Sequence, residues 1–402
     1  MRKSALTRCV AATAVGLVGH AAAADETKTT YVDVSASAGY SSDPSLQFGS
    51  GRGSGSPFAS LSGRLSHRWS SERTSTEIAG YWEGSEYFNY RMKNLLSLTA
   101  DTRHAINERL DVTGSAGLSA DFAGQLSTRF IDVAEPGPPL TGPVVTGPAP
   151  DVLFYSGSQY RADGTGGLTW QATPESQIFG TVGVDRVHFT QSGLLDHTSE
   201  YLSAGYLRSL SEGTEAGLHI IASATQFDGS NDVSAIVTPA ATLRTHIAQD
   251  WTLSGSAGMT FSRVRHAQVD RSSTAPSFSA SLCHDTPAGR LCGTASHSVQ
   301  SSGVAELISV TMAQLEWLEN IDEKQTVQIS AGYAHYANAQ ALAVSTVQPN
   351  QYHIAATYNR RLSDRFSVGG EAAARGLSGG GRRSQSDVSA SVFIRYRWGN
   401  IG

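Results

Sequence analysis

Apolar and polar residues alternate along most of the chain. In residues 110–122 (LDVTGSAGLSADF) every second residue from Leu110 to Phe122 is apolar or small, and Asp, Thr, Ser or Gly stands between them. A period of two predicts a strand with two different faces. The same alternation recurs in four further stretches, at residues 32–40, 59–69, 251–261 and 387–398.

The length of these strands indicates what they cross. They run to about 10–12 residues, whereas strands of ordinary globular proteins run to about 5–6. Eleven residues tilted by about 45° climb about 26 Å, which matches the apolar band of an outer-membrane barrel. We therefore predict an all-β protein, a transmembrane antiparallel up-and-down β-barrel of about 18 strands.

Short polar connections alternate with longer ones, as expected for short periplasmic turns and long extracellular loops. The short group includes residues 70–73 and 363–365, and the long group includes 41–57 and the Pro-rich residues 123–152. A barrel of about 18 strands is roughly 35 Å wide, so water or a loop must fill its lumen. Residues 123–152 either fold inward as a constriction or stand outside as a surface loop.

Two segments fit the alternation poorly. Residues 304–320 carry apolar residues at helical spacing, so they form either strand 14 or a short amphipathic helix in the lumen. We favour the strand, because the strand count is then even. Strand 7 (QIFGTVGVDRVHF) loses its alternation near Arg186, which predicts a β-bulge.

The N-terminus predicts export. Arg2, Lys3 and Arg8 precede a short apolar run at residues 9–18, and small residues follow it. This pattern is typical of a signal peptide, here residues 1–24, with the barrel in residues 25–402. No later run reaches the 18 or so apolar residues of a membrane-spanning helix. We expect the cell outer membrane as the location, with membrane lipid and lipopolysaccharide as partners.

Tryptophan supports the membrane interpretation. In the predicted topology five of the six residues lie at periplasmic strand ends, and Trp82 lies toward the outside. The alternative is indole rings scattered through a soluble β-core, which predicts no common level. The five that form the expected aromatic girdle are Trp69, Trp170, Trp251, Trp317 and Trp398.

Charged residues fall on the polar face of the strands, which we assign to the lumen. The first and last strands pair in a closed barrel, so one part of the wall is largely basic and the next largely acidic. Such walls either create a transverse field that selects polar solutes or are solvated locally with no selective role. The basic pore-lining candidates are Arg64, Arg68, Arg375, Arg395 and Arg397. The remaining candidates are Glu77, Glu83, Asp101, Asp111, Asp121, Asp163 and Glu371, with Arg161 among the acidic residues.

Cys283 and Cys292 flank the turn DTPAGR at equal distances, which places them opposite each other in a hairpin. We favour a disulfide over two free thiols, because exported proteins fold in an oxidising compartment. A zinc site is not expected, since two thiols with His284 alone make an incomplete ligand set.

The sequence offers no catalytic residues and no cofactor site. Residues 376–380 fit G-x-S-x-G, but they lie in a Gly/Ser/Arg loop and not on a strand-to-helix turn. The net charge of −5 is spread along the chain, which argues against a nucleic-acid partner. We expect no enzyme, with a barrel lipase or protease as a distant alternative.

The signal peptide, the alternating strands and the terminal SVFIRYRW resemble the putative β-barrel porins of proteobacterial outer membranes. A terminal strand with Tyr396 and Trp398 is similar to the signal read by the barrel-assembly machinery, which the resemblance implies as a partner. Barrels of this kind resemble both exopolysaccharide-export channels and general solute porins. We expect polysaccharide export with periplasmic export components as partners, and a small-solute diffusion porin is the alternative.

Overall fold

The computed structural model describes ten segments of the chain: residues 27–44, 54–90, 93–122, 158–190, 194–229, 232–266, 269–301, 307–338, 350–378 and 384–399. The expected signal peptide, the motif at 376–380 beyond residue 378, and residues 123–152 lie outside these segments.

Eighteen strands account for nearly all of the described residues. In chain order they are β1 (Thr27–Ser41), β2 (Ser56–Ser70), β3 (Thr74–Tyr87), β4 (Lys93–Asn107), β5 (Leu110–Asp121), β6 (Gln159–Thr173), β7 (Ser176–Phe189), β8 (His197–Ser211), β9 (Thr214–Phe227), β10 (Val233–Ala248), β11 (Trp251–His266), β12 (Val269–Thr286), β13 (Gly289–Ser301), β14 (Leu307–Asp322), β15 (Gln325–Asn338), β16 (Asn350–Arg361), β17 (Phe366–Ser378) and β18 (Gln385–Gly399).

The sheet closes on itself. Each strand pairs antiparallel with the next one along the chain, and β18 pairs antiparallel with β1 over the 11 positions from Tyr31↔Gly399 to Ser41↔Ser389. This confirms the predicted up-and-down barrel and its strand count. No helix among the described segments is long and apolar enough to cross a membrane.

The connections differ between the two ends of the barrel. At one end, which we call the short-turn end, two to four residues join most strands, as at residues 71–73, 108–109 and 323–324. At the other, the long-loop end, the connections include residues 42–55 and 122–158. The alternation of short and long connections follows the predicted pattern.

The alternating sequence gives the barrel two chemically different faces. Along β2, Leu61 and Leu65 lie on the outer face and are 44% and 54% exposed, while Arg64 lies between them on the lumen face. The same holds around the barrel, where exposed Leu118, Leu202 and Val392 lie on the outer face. Lipid requires an apolar surface, and a closed ladder satisfies the backbone, so small residues suffice elsewhere on this face.

Residues 307–320 form the greater part of strand β14 and not a helix, which confirms the strand interpretation. The predicted bulge in β7 was wrong. The β6–β7 ladder continues through Ala162↔Arg186, and the β7–β8 ladder continues through Arg186↔Thr198. Arg186 is simply an outward-facing residue near the long-loop end, where its guanidinium binds the Asp228 carboxylate at 2.8 Å. Near the long-loop end, an outward residue can be polar, so the alternation of apolar residues need not continue through Arg186.

Candidate pore lining

The lumen contains charged side chains that remain open to solvent. Arg64 and Arg161 are 43% and 46% exposed, and Asp163 is 38% exposed, although all three point into the barrel. An inward side chain keeps such exposure only where the lumen has room for water. The interior of the middle of the barrel is therefore polar and wet.

Every charged residue predicted to line the pore lies on the lumen face of its strand. The pair registers place them together there, since directly paired residues point to the same side of a sheet. For example, Arg68 pairs with Glu77, Glu77 with Asp101, and Arg375 with Asp387. The predicted set therefore divides into two adjoining arcs of the wall.

The basic arc spans β17 to β2 and centres on Tyr31. The guanidinium carbons of Arg397 and Arg64 lie 5.2 and 6.0 Å from the centre of the Tyr31 ring. Arg397 also donates two hydrogen bonds to the Asp33 carboxylate, at 2.7 and 2.9 Å. Arg395 lies over the Phe393 ring. Aromatic faces and one carboxylate thus hold several cations side by side at the β18–β1–β2 junction.

The acidic arc spans β3 to β7, and arginines neutralise it in part. Arg103 donates to Asp111 at 2.7 Å, and Arg161 binds Asp185 at 2.5 Å and lies 4.0 Å from Asp163. Glu77 joins the two arcs, because it accepts from Ser66 at 2.6 Å and from Arg64 at 3.4 Å.

Several lumen carboxylates were not among the predicted pore-lining residues, and Asp33, Asp185 and Asp387 belong to this group. All three occupy the polar phase of their strands, which was the available signal. Asp387 is the most buried of them at 1% exposure. Its carboxylate accepts hydrogen bonds from the Arg375 guanidinium at 2.8 and 3.0 Å, from the Ser41 hydroxyl at 2.7 Å and from the Asp43 amide at 3.0 Å.

Hydroxyl groups line the wall opposite these arcs. Lumen-facing hydroxyls pair across strands β10 to β12, as in Thr238–Thr260 at 2.8 Å and Ser256–Ser279 at 2.9 Å. These short side chains carry no charge and leave the lumen wide. Gly183 in β7 and Gly205 in β8 let aromatic rings lie flat against the wall. The Tyr201 ring covers Gly183 and the Phe179 ring covers Gly205, and a Cβ on either glycine would collide with that ring.

The lumen becomes apolar and closely packed toward the long-loop end. Tyr87, Phe189 and Phe227 point inward there and are 5%, 5% and 1% exposed. The His197 ring lies between Phe189 and Phe227, with ring centres 5.9 and 5.7 Å away. This end of the passage is therefore narrower than the wet middle.

A carboxylate outside the strands fixes the end of β7. The Asp196 carboxylate accepts a hydrogen bond from the Phe189 amide at 2.9 Å, and its second oxygen lies 2.5 Å from the His188 ring nitrogen Nδ1. Partial burial raises the pKa of Asp196, but these hydrogen bonds and the nearby Arg186 outweigh that effect and hold the pKa below its ordinary value.

The remaining predicted features lie at the short-turn end. Cys283 and Cys292 are directly paired in the β12–β13 ladder, and their sulfur atoms are bonded. The five girdle tryptophans lie on the outer face near this end, and the Trp251 ring stacks on His284 with centres 4.5 Å apart. Trp170 and Trp398 are 46% and 60% exposed. In the described segments no group of three or more His, Cys, Asp or Glu could hold a metal ion.

Comparison with known proteins gives architectural likeness alone. No protein family model and no curated protein matches the chain. Among solved structures, OccK2 (OpdF) of Pseudomonas aeruginosa in complex with glucuronate is similar with a TM-score of 0.48 and 9% identity, over 93% of this chain and 98% of that one. The FrpB iron transporter of Neisseria meningitidis is similar with a TM-score of 0.45 and 8% identity, over 92% and 81%. Likeness at this level identifies neither a family nor a substrate.

Proposed function

We propose that the chain is an outer-membrane channel through which small polar solutes diffuse. The observation that carries the proposal is the wet, charged lumen enclosed by a closed wall with an apolar outer face. Exposed Arg64, Arg161 and Asp163 mark the passage, and exposed leucines such as Leu61 and Leu118 face the lipid. Lipid, and lipopolysaccharide in the outer leaflet, would be the partners of that apolar face.

Small solutes suit this lumen better than a polysaccharide chain. A sliding polymer benefits from aromatic faces along its path, because sugar rings stack on them. The aromatic side chains at the long-loop end, Tyr87, Phe189 and Phe227, are buried and cannot offer their faces. In the basic arc, arginines lie over the rings of Tyr31 and Phe393. We therefore prefer the solute channel to the polymer exporter, and we propose no catalytic role.

Purified protein in planar lipid bilayers tests the proposal. We expect stepwise ion conductance and swelling of protein-loaded vesicles in isotonic solutions of small sugars. A silent protein that is correctly folded would overturn the channel function. Loss of secreted polymer from a deletion strain that still makes the polymer would favour export instead.

A further inference from the structure

Within the described residues, the ladder between β12 and β13 covers only part of the two strands. Their ladder covers only nine pairs, from Phe278↔His297 to Thr286↔Gly289 at the short-turn end. On either side the ladders are longer, with 16 pairs between β11 and β12 and 13 between β13 and β14. Residues 269–277 of β12 therefore pair only with β11 in the described ladders.

The end of β13 lies inside the barrel and not beside β12. The Ser301 hydroxyl is 2.5 Å from that of Ser234 in β10. Strands β10 and β13 are three positions apart in the wall, a separation of about 14 Å at about 4.8 Å per strand. A contact between them requires residues 298–301 to leave the wall and to lie on the lumen side of β12 and β11.

The faces in contact confirm this overlap. Val299 and Leu307 belong to the outward face of β13 and β14, the face that carries lipid-exposed Leu315 farther down. They pack against Ile236 and Val264 on the lumen face of β10 and β11, and all four are at most 8% exposed. The outward face of one strand can pack on the lumen face of another only where one part of the sheet lies inside the barrel and overlaps the wall. We call this contact the overlap seam.

The overlap seam lies at the level of lipid. On β11, Phe261 and Met259 face outward and are 51% and 43% exposed. They pair with Thr274 and Pro276, in the part of β12 that has no ladder with β13 among the described residues. Pro276 lacks an amide hydrogen, so it suits a strand edge. Exposed outward residues such as Phe261 and Met259, which we call the apolar belt, thus lie at the same level as the part of β12 that has no described ladder with β13.

Apolar packing holds the overlap seam weakly in this setting. Lipid chains are as apolar as Leu or Val, so the hydrophobic effect does not favour side-chain contact over contact with lipid. Beyond van der Waals packing, the Ser234–Ser301 hydrogen bond connects the two layers within the described residues. An apolar chain can therefore replace these side chains at small cost.

We propose that the overlap seam is a lateral portal that admits an apolar chain, such as that of a fatty acid, from the outer leaflet to the inner face of the barrel. The portal does not depend on the polar passage. A molecule with an alkyl chain enters between β12 and the inward end of β13, and Ile236, Val264, Val299 and Leu307 receive the chain.

Photolabelling of a locked variant tests the portal. The probe is hexadecanoic acid with a terminal diazirine, in phosphatidylcholine vesicles that contain the full chain, and labelled peptides are identified by mass spectrometry. We expect label on belt residues such as Phe261 and also on Val299 and Leu307. The variant S234C/S301C, oxidised to a disulfide, should lose the label on Val299 and Leu307 and keep it on Phe261.

The variant S256C/S279C is the matched control, because its two positions lie 2.9 Å apart by their hydroxyls within the continuous β11–β12 ladder. Its disulfide should leave all labelling unchanged. Label confined to the belt in the unmodified protein overturns the proposal, and so does label on Val299 that persists in the locked variant. Failure of S234C/S301C to cross-link contradicts the overlap itself. None of these outcomes bears on ion conductance.

Discussion

At the residue scale, Asp387 has the strongest set of partners in the described lumen. Its side chain is fully buried. Two nitrogens of Arg375 donate to its Oδ2, and the Ser41 hydroxyl and the Asp43 amide donate to its Oδ1. These partners belong to β17, to β1 and to the segment after β1, so one carboxylate connects both ends of the chain where the barrel closes.

Replacing this carboxylate should weaken the closure. Breaking a buried charge pair costs about 3–5 kcal/mol, because the remaining charge loses its counter-ion. We expect Asp387→Ala to lower the free energy of unfolding by at most that amount, since Arg375 retains some contact with solvent. Unfolding in guanidinium, followed by tryptophan fluorescence, measures the change.

Asp111→Ala is the matched control, because Asp111 also binds one arginine but in an exposed pair. Such pairs contribute about 0–1 kcal/mol. Equal losses in the two variants would contradict the role we assign to the buried carboxylate.

Asp196 predicts a pH dependence at the end of β7. Its pKa is lowered in the folded protein, so the ionised carboxylate stabilises the fold above the unfolded pKa of about 3.9. This contribution is lost as the pH falls through the folded pKa, below about 4. We expect the Phe189 amide, which Asp196 accepts, to lose protection from hydrogen exchange in that range.

Asp196→Asn should already show weak protection at neutral pH and little further change on acidification. Exchange rates must be normalised to those of an unstructured peptide at each pH, because intrinsic exchange depends on pH. A variant that retains the full acid transition would show that another group controls it.

At the element scale, the disulfide strengthens the shortest ladder of the barrel. Cys283 and Cys292 close a small loop near the turn, and the chain-entropy account assigns such a loop about 2–3 kcal/mol. We expect reduction to increase hydrogen exchange in the paired part of β12 and β13 more than in β14 and β15. In Cys283→Ser/Cys292→Ser the same loss should appear without reductant, and reductant should add nothing. Uniform exchange across all four strands would argue against a local effect.

Alternation predicts the elements well where membrane and lumen impose different chemistry on the two faces. It predicts strand number, order and the lumen side of the charged pore-lining candidates, because lipid excludes charge from the other side over the middle of each strand. Arg186, near the long-loop end, lies outside that level and faces outward. It fails in β14, where Ile308, Val310 and Met312 are apolar on the lumen face and fully or nearly buried. There both faces of the strand pack against protein, and the contact with β10 joins residues distant in sequence. No periodicity reports such a contact.

At the scale of the whole molecule, the charge arcs imply a selectivity that can be inverted. A unit charge about 8 Å from a permeating ion in water contributes about 0.5 kcal/mol, or about a twofold change in relative permeability. Neutralising the acidic arc with Glu77→Gln, Asp101→Asn and Asp163→Asn should favour anions. Neutralising the basic arc with Arg64→Gln, Arg68→Gln and Arg395→Gln should favour cations. The reversal potential of single channels in a KCl gradient measures both shifts.

The control is Asp228→Asn, because Asp228 pairs with outward-facing Arg186 and should leave the reversal potential unchanged. Both shifts should decrease toward 1 M salt, where the screening length falls to about 3 Å. Opposite shifts from the two arcs require that ions pass along the charged wall. If both triple variants conduct with the original selectivity, ions do not pass near the arcs, and the charges are local ion pairs solvated by the lumen.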